Sequence, residues 1–364
     1  MRILRVSYRV PPEPGGKERH VECLTRQQVR NGHHVTLAFR RGRVVPDGAE
    51  VLALRRTALS PVLALKSDVL AFAAEVAGAM RRRPRPDLVH LHGDHVEASV
   101  LGPVCRRLGV PLVLTVHAAL SRRHPRFTRA ALRHVGSFIA LGTATAGDLV
   151  RAGADPGRVQ VASSGLDLPA MARLAPDGPR EPGLVVSAGS LEPMKNHALL
   201  VEAVRELRRT RPHVRLVVAG DGPEHDRLRR LAGPGVELAG RLPREELYPL
   251  VRRAEVFVLA SRRLPGKGEG VPTAALEALA LGTPVVVSSD ATLDPVVTDR
   301  AAYRVFRSGS LAALTAELGA VLDDPATRRD LERRGRAAAA TLDWPAMATR
   351  MELSYDRALA VAPR

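Results

Sequence analysis

The sequence predicts an α/β fold made of two Rossmann-like domains, each with a doubly wound parallel sheet. Short β-branched runs alternate with amphipathic helical patterns along all 364 residues, which is typical of βα units. The length is greater than that of one ordinary domain. The segment 169–183, rich in proline, glycine and charge, interrupts the alternation and is expected to be the linker between the two domains.

The strand candidates define the two domains. In the first half they are ILRVSY, HVTLAF, DLVHLH, PLVLTVH and SFIALG. In the second half they are LVVSAG, VRLVVAG, VELAG, VFVLAS, PVVVSS and YRVF. We therefore expect domains at 1–168 and 183–342, with a last helix in 343–364 that packs back on the first domain. Ligands of open α/β sheets bind at the carboxyl ends of the strands, so the two domains are expected to face each other across a ligand-binding cleft.

The net charge of the chain indicates which classes of binding partner are favoured. The formal net charge is +17, and residues 1–168 carry 26 Lys and Arg against 13 Asp and Glu. Such a field favours nucleic acid, an anionic membrane surface or a phosphorylated ligand, although solvated arginines on outer helix faces would explain it equally well. Nucleic acid is not expected, because single-strand binders interleave aromatic and basic residues and this chain has six Phe, four Tyr and one Trp.

Three features favour a cytoplasmic location. The opening MRILRVSY reads as a strand and not as a signal peptide. The most apolar helix candidate, 61–80, contains three charged side chains and is too polar to span a bilayer. Cys23 and Cys105 are too few for a disulfide framework or a metal site, so both are expected to be buried free thiols. The basic first half leaves peripheral contact with the inner face of an anionic membrane open.

The stretch EGVPTAALEA, 269–278, places two carboxylates around a helix predicted to start near Pro272. The first N–H groups of a helix have no intrahelical partner and the dipole makes this end positive, so it favours phosphate. Gly270 would let a ligand approach the backbone. Glu277, two turns past Glu269, could reach ribose hydroxyls, and Glu269 lies where a sugar could bind. The alternative is an ordinary capped helix with a salt-bridged glutamate.

A lysine follows the first strand of the second half. In AGSLEPMKNHALLVEAV, a strand, a turn and a helix follow one another, and Lys195 lies on the turn. A lysine there is a compact cation for a diphosphate, and a plain surface lysine is the alternative. The glycines of VVAGDGP indicate a tight turn at the same edge of the sheet.

These motifs, in their joint order and spacing, resemble the retaining glycosyltransferases of family 4, which are group 1 glycosyltransferases with the GT-B fold. The second half contributes AGSLEPMKN, AGDGP, AGRLPREEL and EGVPTAALEALALGTPVVVSS, and the first half contributes PPEPGGKERH, NGHHVTL, DLVHLHG, PLVLTVHA and VASSGLD. The final DWPAMATRMELSYDRAL resembles the closing helix of the family. The resemblance covers nearly the whole chain.

The resemblance implies transfer of a hexosyl or N-acetylhexosaminyl group from a nucleoside-diphosphate sugar to an acceptor hydroxyl, with retention of configuration. It implies no cofactor and no metal. A UDP-sugar, such as UDP-GlcNAc or UDP-glucose, is favoured because such donors are frequent in the family. The acceptor is left open between a small molecule, a lipid-linked intermediate and a glycan, in cell-envelope polysaccharide or secondary-metabolite biosynthesis.

The resemblance also assigns roles to residues of the second half. Glu277 would hold the ribose hydroxyls of the donor, and Glu269 would hold hydroxyls of the donor sugar. Lys195 would neutralise the leaving diphosphate. The backbone N–H groups of Val271, Pro272 and Thr273, next to Gly270, would contact sugar and phosphate. Arg241 would lie near the base.

In the first half, Gly15 and Gly16 would approach the diphosphate, with a flexible turn as the alternative. His117, at the end of PLVLTVH, would lie at the donor sugar and complete the catalytic group with Glu269 and Lys195; the alternative is a core histidine.

A cluster typical of metal ligands, comprising His90, His92, Asp94 and His95, ends the strand DLVHLH. Acceptor contact by His92 and Asp94 is favoured over metal binding. Asp94 is also a candidate base on the acceptor side.

The sequence departs from the family pattern at three places. Gly189-Ser190 stands where the family has Gly-Arg, so a second phosphate cation is missing, and Arg262, Arg263 or Lys267 is a candidate replacement. Ser164 replaces an asparagine, and DATLDPVV replaces a Gly-Gly-Xaa-Xaa-Glu stretch. The second hypothesis is therefore a catalytically inactive GT-B protein that binds or acts as a scaffold, supported by Ser190 and opposed by the intact Glu269, Lys195 and Glu277.

Overall fold

The polypeptide divides into two compact α/β units, which are described separately below. The first comprises Met1–Gly165 and Trp344–Arg364, and the second comprises Leu166–Asp343. The computed structural model describes residues 1–13, 15–58, 60–82, 84–117, 120, 124–265 and 267–361.

The first unit is built on a seven-stranded sheet whose neighbouring strands are all parallel. The spatial order is β3-β2-β1-β4-β5-β6-β7, in which the order reverses between β1 and β4. All five strand candidates of the first half are confirmed. The strands are β1 Arg2–Ser7, β2 His34–Ala38, β3 Glu50–Val51, β4 Leu88–His92, β5 Leu112–Val116, β6 Ser137–Ala140 and β7 Val159–Val161.

Helices cover both faces of this sheet. Along β1 the side chains alternate: Leu4 and Val6 belong to a core cluster with Phe72 of the third helix, whereas Ile3 belongs to a cluster on the other face, as the two-residue period of a strand requires. The helices are α1 Gly16–Arg30, α2 Ser60–Lys66, α3 Asp68–Met80, α4 His95–Leu108, α5 Pro125–Leu132 and α6 Thr143–Arg151.

The helix expected over 61–80 is two helices, because Ser67 lies between α2 and α3. The Ser67 side chain accepts a hydrogen bond from the backbone N–H of Val69 (3.2 Å). A serine in this role starts a new helix, which the uninterrupted apolar pattern did not reveal. In the described part of the chain, no helix is both long and apolar enough to cross a membrane.

The second unit repeats the architecture with a six-stranded parallel sheet in the order β10-β9-β8-β11-β12-β13. All six strand candidates of the second half are confirmed, and so is the predicted pair of doubly wound parallel sheets. Its elements are α7 Leu168–Leu174, β8 Glu181–Ala188, α8 His197–Leu207, β9 Arg215–Ala219, α9 His225–Leu231, β10 Val236–Gly240, α10 Arg244–Arg253, β11 Ala254–Leu259, α11 Thr273–Ala280, β12 Val285–Ser288, β13 Arg304–Phe306, α12 Leu311–Asp323 and α13 Pro325–Ala339.

The segment 169–183 is not the irregular linker expected from its composition. It begins inside α7, where Asp167 caps the helix by accepting from the N–H of Ala170 (3.1 Å) and a proline occupies the first turn, a position that proline favours. It ends inside β8, which starts at Glu181. Neither cysteine forms a disulfide; Cys105 is buried, as expected, whereas Cys23 is only half-buried.

The last helix, α14 Trp344–Val361, packs within the first unit, on the face of the sheet that holds Ile3. Met351 and Tyr355 are buried there with Leu24 of α1. Arg5 of β1 is completely buried, and its guanidinium donates to Thr25 (2.7 Å), to Gln28 and to the Tyr355 hydroxyl (3.4 Å).

The Tyr355 hydroxyl connects this network to the sheet, since it also lies 2.7 Å from His90 Nδ1 on β4. Buried polar atoms that lose their partner keep the full cost of desolvation. The Tyr355 hydroxyl therefore links α14 to both α1 and β4.

We predict that Tyr355→Phe destabilises the first unit by about 1–3 kcal/mol, because His90 Nδ1 and Arg5 lose a buried partner. Urea unfolding followed by tryptophan fluorescence measures this directly, since the chain has one Trp and it lies on α14 in this unit. Leu353→Ala, on the same helix but 50% exposed, is the control and should shift the stability by no more than ~0.5 kcal/mol. Equal stabilities of Tyr355→Phe and wild type would contradict the role of the network.

Candidate functional site

In the second unit, the candidate residues gather where the loops after β8 and β11 meet the start of α11. Helix α11 begins at Thr273 with Pro272 as its N-cap, so the helix predicted near Pro272 is confirmed. The first backbone N–H that bonds within the helix is that of Ala275, to Pro272 O (3.0 Å). Of the three predicted backbone donors, Pro272 has no N–H, so only Val271 and Thr273 can donate from this stretch.

An ion pair joins the two loops. Lys195 Nζ donates to Glu269 Oε1, and the Ser261 hydroxyl donates to the same oxygen (2.8 Å). The side chains of Lys195 and Glu269 are 17% and 12% exposed. The pair is thus largely buried but still accessible to a ligand from solvent. It brings together the predicted phosphate cation and the predicted sugar-binding carboxylate. The sequence did not indicate Ser261 as a partner.

Backbone contacts between the loops after β8 and β9 position Lys195. Leu191 N donates to Asp221 O (2.9 Å), and Glu224 N donates to Leu191 O (2.9 Å). A Cβ on Gly220 would clash with the carbonyl oxygen of Gly189, so a glycine is required at this close approach. The turn predicted from VVAGDGP therefore supports the loop that carries Lys195.

Glu277, inside α11, is held by two residues that the sequence analysis missed. The Tyr248 hydroxyl donates to Glu277 Oε1 (2.8 Å), and Arg244 NH2 lies 3.9 Å from the same oxygen. The Arg244 guanidinium also lies over the Tyr248 ring (5.6 Å). Both residues lie on α10, far from Glu277 in sequence. This contact between two helices could therefore not be predicted from a sequence pattern.

The remaining cation candidates have different surroundings. Arg241, directly after β10, is exposed, and Ser190 is exposed on the loop that carries Lys195. The backbone N–H of Arg262 donates to Met194 O (2.7 Å) and its Nε to Pro193 O (3.4 Å), which brings Arg262 beside the Lys195 loop. Lys267 Nζ instead lies 3.8 Å from Glu192. Of the proposed replacements for the missing arginine, Arg262 and Lys267 therefore both contact the loop that carries Lys195, and Arg262 does so through hydrogen bonds to its backbone.

His197, the first residue of α8, is a buried histidine beside this site. Burial, together with the positive charge of the neighbouring Lys195, lowers its pKa to about 4. The positive end of the helix dipole also disfavours a charged ring. His197 is therefore neutral at physiological pH.

In the first unit, the paired glycines begin α1, but the two positions differ. Gly15 is the N-cap with φ 150°, and a Cβ there would clash with the Glu18 carboxylate. Gly16 has open space around its Cα. Only Gly15 is therefore required by the fold.

The predicted acceptor-side residues have different local roles. Asp94 is the N-cap of α4: its carboxylate accepts from Val96 N (2.6 Å), and Glu97 Oε2 accepts from Asp94 N (3.2 Å). This capping box occupies the carboxylate expected to act as a base. Burial and the Asp94 charge raise the pKa of Glu97 to about 8.

The predicted ligand-like group His90, His92, Asp94 and His95 does not form one cluster around a common point. His92 Nδ1 lies 3.1 Å from His117 Nε2, and the ring of His20, from α1, lies 5.4 Å and 5.0 Å from the rings of these two histidines. His20, His92 and His117 each place one ring nitrogen within 4.8 Å of the others, and this trio is the group able to hold a metal ion in the described part of the chain. The sequence analysis missed His20.

Substitution of His197 should remove a pH-dependent loss of stability in the second unit. The folded pKa of about 4 lies below the ordinary value of 6.5, so the unfolded chain binds more protons between these values. The contribution of neutral His197 to the free energy of unfolding is present in full above pH 6.5. It falls by about 1.4 kcal/mol per pH unit as the pH drops through this window. Calorimetry of wild type and His197→Gln from pH 7 to 4.5 measures the difference. The exposed His213→Gln is the control, and parallel curves for wild type and His197→Gln would refute this assignment.

The two glycines of the α1 cap provide a matched pair of substitutions. Gly15→Ala should destabilise the first unit by about 1 kcal/mol or more, because its positive φ and the Glu18 contact both oppose a Cβ. Gly16→Ala should leave the stability within ~0.5 kcal/mol. Tryptophan fluorescence during urea unfolding distinguishes the two, and an equal loss in both variants would contradict this account of the cap.

Comparison with known proteins places this site in a family. Residues 175–338 match the family described as Glycosyl transferases group 1, and residues 14–169 match Glycosyltransferase Family 4. Glycogen synthase from Mycobacterium tuberculosis (strain CDC 1551 / Oshkosh) is 30% identical, over 96% of this chain and 93% of its own. D-inositol 3-phosphate glycosyltransferase from Kineococcus radiotolerans is 28% identical, over 95% and 91%.

A solved structure agrees at the level of the fold. The crystal structure of HepE from Anabaena in complex with UDP and glucose has a TM-score of 0.75, with 18% identity, and covers 98% of this chain and 99% of that chain. Together with the profile matches and the 30% identical relative, it confirms the resemblance in the motifs. The chain belongs to glycosyltransferase family 4, the group 1 glycosyltransferases, and has the GT-B fold.

Proposed function

We propose that the protein is a retaining glycosyltransferase that moves a sugar from a UDP-sugar, such as UDP-glucose or UDP-GlcNAc, to a hydroxyl of a glycan or small-molecule acceptor. The observation that carries the proposal is the Lys195–Glu269 pair at the start of α11, with Glu277 one turn inside the helix. These groups suit the three parts of a nucleotide-sugar: diphosphate, sugar and ribose.

The chemistry assigned to this group is the loss of the diphosphate from the anomeric carbon. Negative charge grows on the leaving phosphate as the sugar gains oxocarbenium character. The Lys195 ammonium and the free N–H groups at the start of α11 stabilise that charge where it develops. They supply positive charge without a metal ion, so the transfer is proposed to be metal-independent.

Glu269 binds sugar hydroxyls in this proposal and does not act as a nucleophile. One of its oxygens is occupied by Lys195 and Ser261, which leaves the other to accept from hydroxyl groups. The acceptor hydroxyl attacks from the face that the phosphate leaves, and the leaving phosphate takes its proton. The configuration at the anomeric carbon is therefore retained without a covalent enzyme intermediate.

Glu277 is proposed to accept hydrogen bonds from both ribose hydroxyls. Tyr248 and Arg244 fix its carboxylate, so that little side-chain freedom is lost on binding. UDP is preferred as the nucleotide because the solved HepE structure contains UDP and glucose. Arg241 is proposed to lie at the base.

The first unit is assigned roles that rest on the family resemblance. Gly15 and Gly16 are proposed to approach the diphosphate, His117 the donor sugar and Asp94 the acceptor. His92, which was expected to contact the acceptor, is completely buried and is not placed to do so. A glycan acceptor has support from the relative named glycogen synthase, and a phosphorylated cyclitol from the relative named for inositol 3-phosphate. Contact with an anionic membrane and the absence of a nucleic-acid partner stay predictions.

One observation favours a second candidate, a GT-B protein that binds nucleotide-sugar without turnover. Ser190, and not arginine, follows Gly189, so one phosphate cation is missing from its usual place. Arg262 contacts the same loop, and in the active enzyme it would supply this charge.

Acceptor-dependent release of UDP from UDP-glucose and UDP-GlcNAc tests the proposal, with an α-glucan and a phosphorylated cyclitol as acceptors. Lys195→Ala should lower kcat/KM by about 10²–10³-fold, because one stabiliser of the transition-state charge is lost. NMR of the first product should show the α-anomer that the donor carries.

The matched control is Lys66→Ala, an exposed lysine of the first unit, which should retain wild-type kinetics. A β-linked product would exclude retention. If the protein binds UDP but forms no UDP from either donor with any acceptor, the non-catalytic candidate is favoured. Ser190→Arg would then be the variant to assay for recovered turnover.

A further inference from the structure

Three histidines from three separate elements converge in the first unit. His20 lies on α1, His92 ends β4, and His117 directly follows β5. One ring nitrogen of each lies within 4.8 Å of the others. His20 and His92 are 1% and 0% exposed, whereas His117 is half-buried and so leaves a path to solvent.

The hydrogen bonds of the trio leave two nitrogens without a partner. His20 Nδ1 bonds Ser164 Oγ (2.8 Å), and His92 Nδ1 lies 3.1 Å from His117 Nε2. The Nε2 atoms of His20 and His92 are buried and have no hydrogen-bond partner among the described residues. Buried polar atoms are nearly always paired, so His20 Nε2, on the ring whose other nitrogen bonds Ser164, is available to a ligand.

His90, on the same strand as His92, differs from the trio in that both of its ring nitrogens have partners. Its Nε2 lies 2.6 Å from Thr115 Oγ1 and its Nδ1 lies 2.7 Å from the Tyr355 hydroxyl. Both nitrogens of His90 are used by the fold. His92, by contrast, has one nitrogen without a partner among the described residues and belongs to the trio.

We propose that His20, His92 and His117 bind one divalent transition-metal ion of the zinc class. A neutral imidazole keeps a lone pair on one ring nitrogen for a metal. Three imidazoles without a carboxylate suit zinc, cobalt, nickel or copper and do not suit magnesium or calcium, which need oxygen ligands.

The spacing requires only small side-chain movements. Zinc–nitrogen bonds of 2.0–2.1 Å in a tetrahedron separate the nitrogens by about 3.3 Å. His92 Nδ1 and His117 Nε2 are already 3.1 Å apart, and His20 Nε2 moves inward to complete the set. The fourth position is left for water, the arrangement of open three-histidine sites.

Ser164 is the supporting partner of this site. Metal-binding histidines usually donate their other ring N–H to an oxygen that fixes the ring, and Ser164 Oγ is placed to accept from His20 Nδ1. The serine stands where the family has asparagine. The positive charges of Arg5 and Lys17 act on these rings and limit the affinity.

The metal has an inhibitory effect that rests on the proposed function. His117 is the residue proposed to contact the donor sugar, and a metal-bound ring cannot make that contact. Zinc should therefore slow transfer by the metal-independent enzyme without weakening UDP binding to the second unit.

Equilibrium dialysis of the chelator-treated full-length protein with Zn²⁺, and the visible spectrum with Co²⁺, test the site at neutral pH. We expect one equivalent of Zn²⁺ per chain and the absorption bands of tetrahedral Co²⁺. His20→Gln and His117→Gln should each weaken Zn²⁺ binding more than tenfold, and Ser164→Ala about tenfold. His213→Gln, an exposed histidine of the second unit, should bind as wild type.

Absence of saturable Zn²⁺ and Co²⁺ binding would overturn the proposal, as would undiminished binding in both His20→Gln and His117→Gln. Tryptophan fluorescence shows whether each variant is folded. If a histidine variant does not fold, the Zn²⁺ affinity of Ser164→Ala tests the site instead. UDP binding measured in the same samples separates the two proposals: metal binding without UDP binding refutes only the donor site, and the reverse refutes only the metal site.

Discussion

The ion pair between Lys195 and Glu269 is the interaction on which the account of the second unit depends. It holds the loop after β8 against the segment that leads into α11. It also keeps an ammonium and a carboxylate side by side in a sheltered place. Each charge compensates the other before a ligand arrives, which spares both the cost of burial without a partner.

The same pair explains how one short segment can bind groups of opposite character. A diphosphate needs positive charge, and a sugar needs hydrogen-bond acceptors. In the proposed donor site, Lys195 and the N–H groups at the start of α11, which have no intrahelical partner, face the diphosphate, and the second Glu269 oxygen accepts from hydroxyls. Glu277 repeats this acceptor role deeper along the helix, with its orientation fixed from α10 by Tyr248 and Arg244.

The features that the sequence could predict are those that depend on residues close together in the chain, above all the strands of the two parallel sheets. Long buried strands were found from their composition, as were the start of α11 and the loop of Lys195, because each is local in sequence. The short strands β3 and β7 were not found, because neither is fully buried and their apolar pattern is weak. The break between α2 and α3 depends on one capping hydrogen bond from Ser67.

The missed site residues share one property: they contact their partners across the fold. Tyr248 and Arg244 reach Glu277 from another helix, and His20 reaches His92 and His117 from α1. No spacing along the chain encodes these contacts. The sequence therefore predicts the groups of the proposed donor site, and the structure adds the residues that contact them.

The most direct test of the central claim is a thermal-shift measurement with UDP, GDP, ADP and TDP on wild type and Glu277→Ala. The account predicts that UDP stabilises the wild-type protein more than the other nucleotides do and that Glu277→Ala loses this stabilisation. Glu237→Ala, an exposed glutamate of the same unit, should respond as wild type. Stabilisation by no nucleotide, or an equal response of Glu277→Ala and wild type, would contradict the claim that α11 forms the donor site.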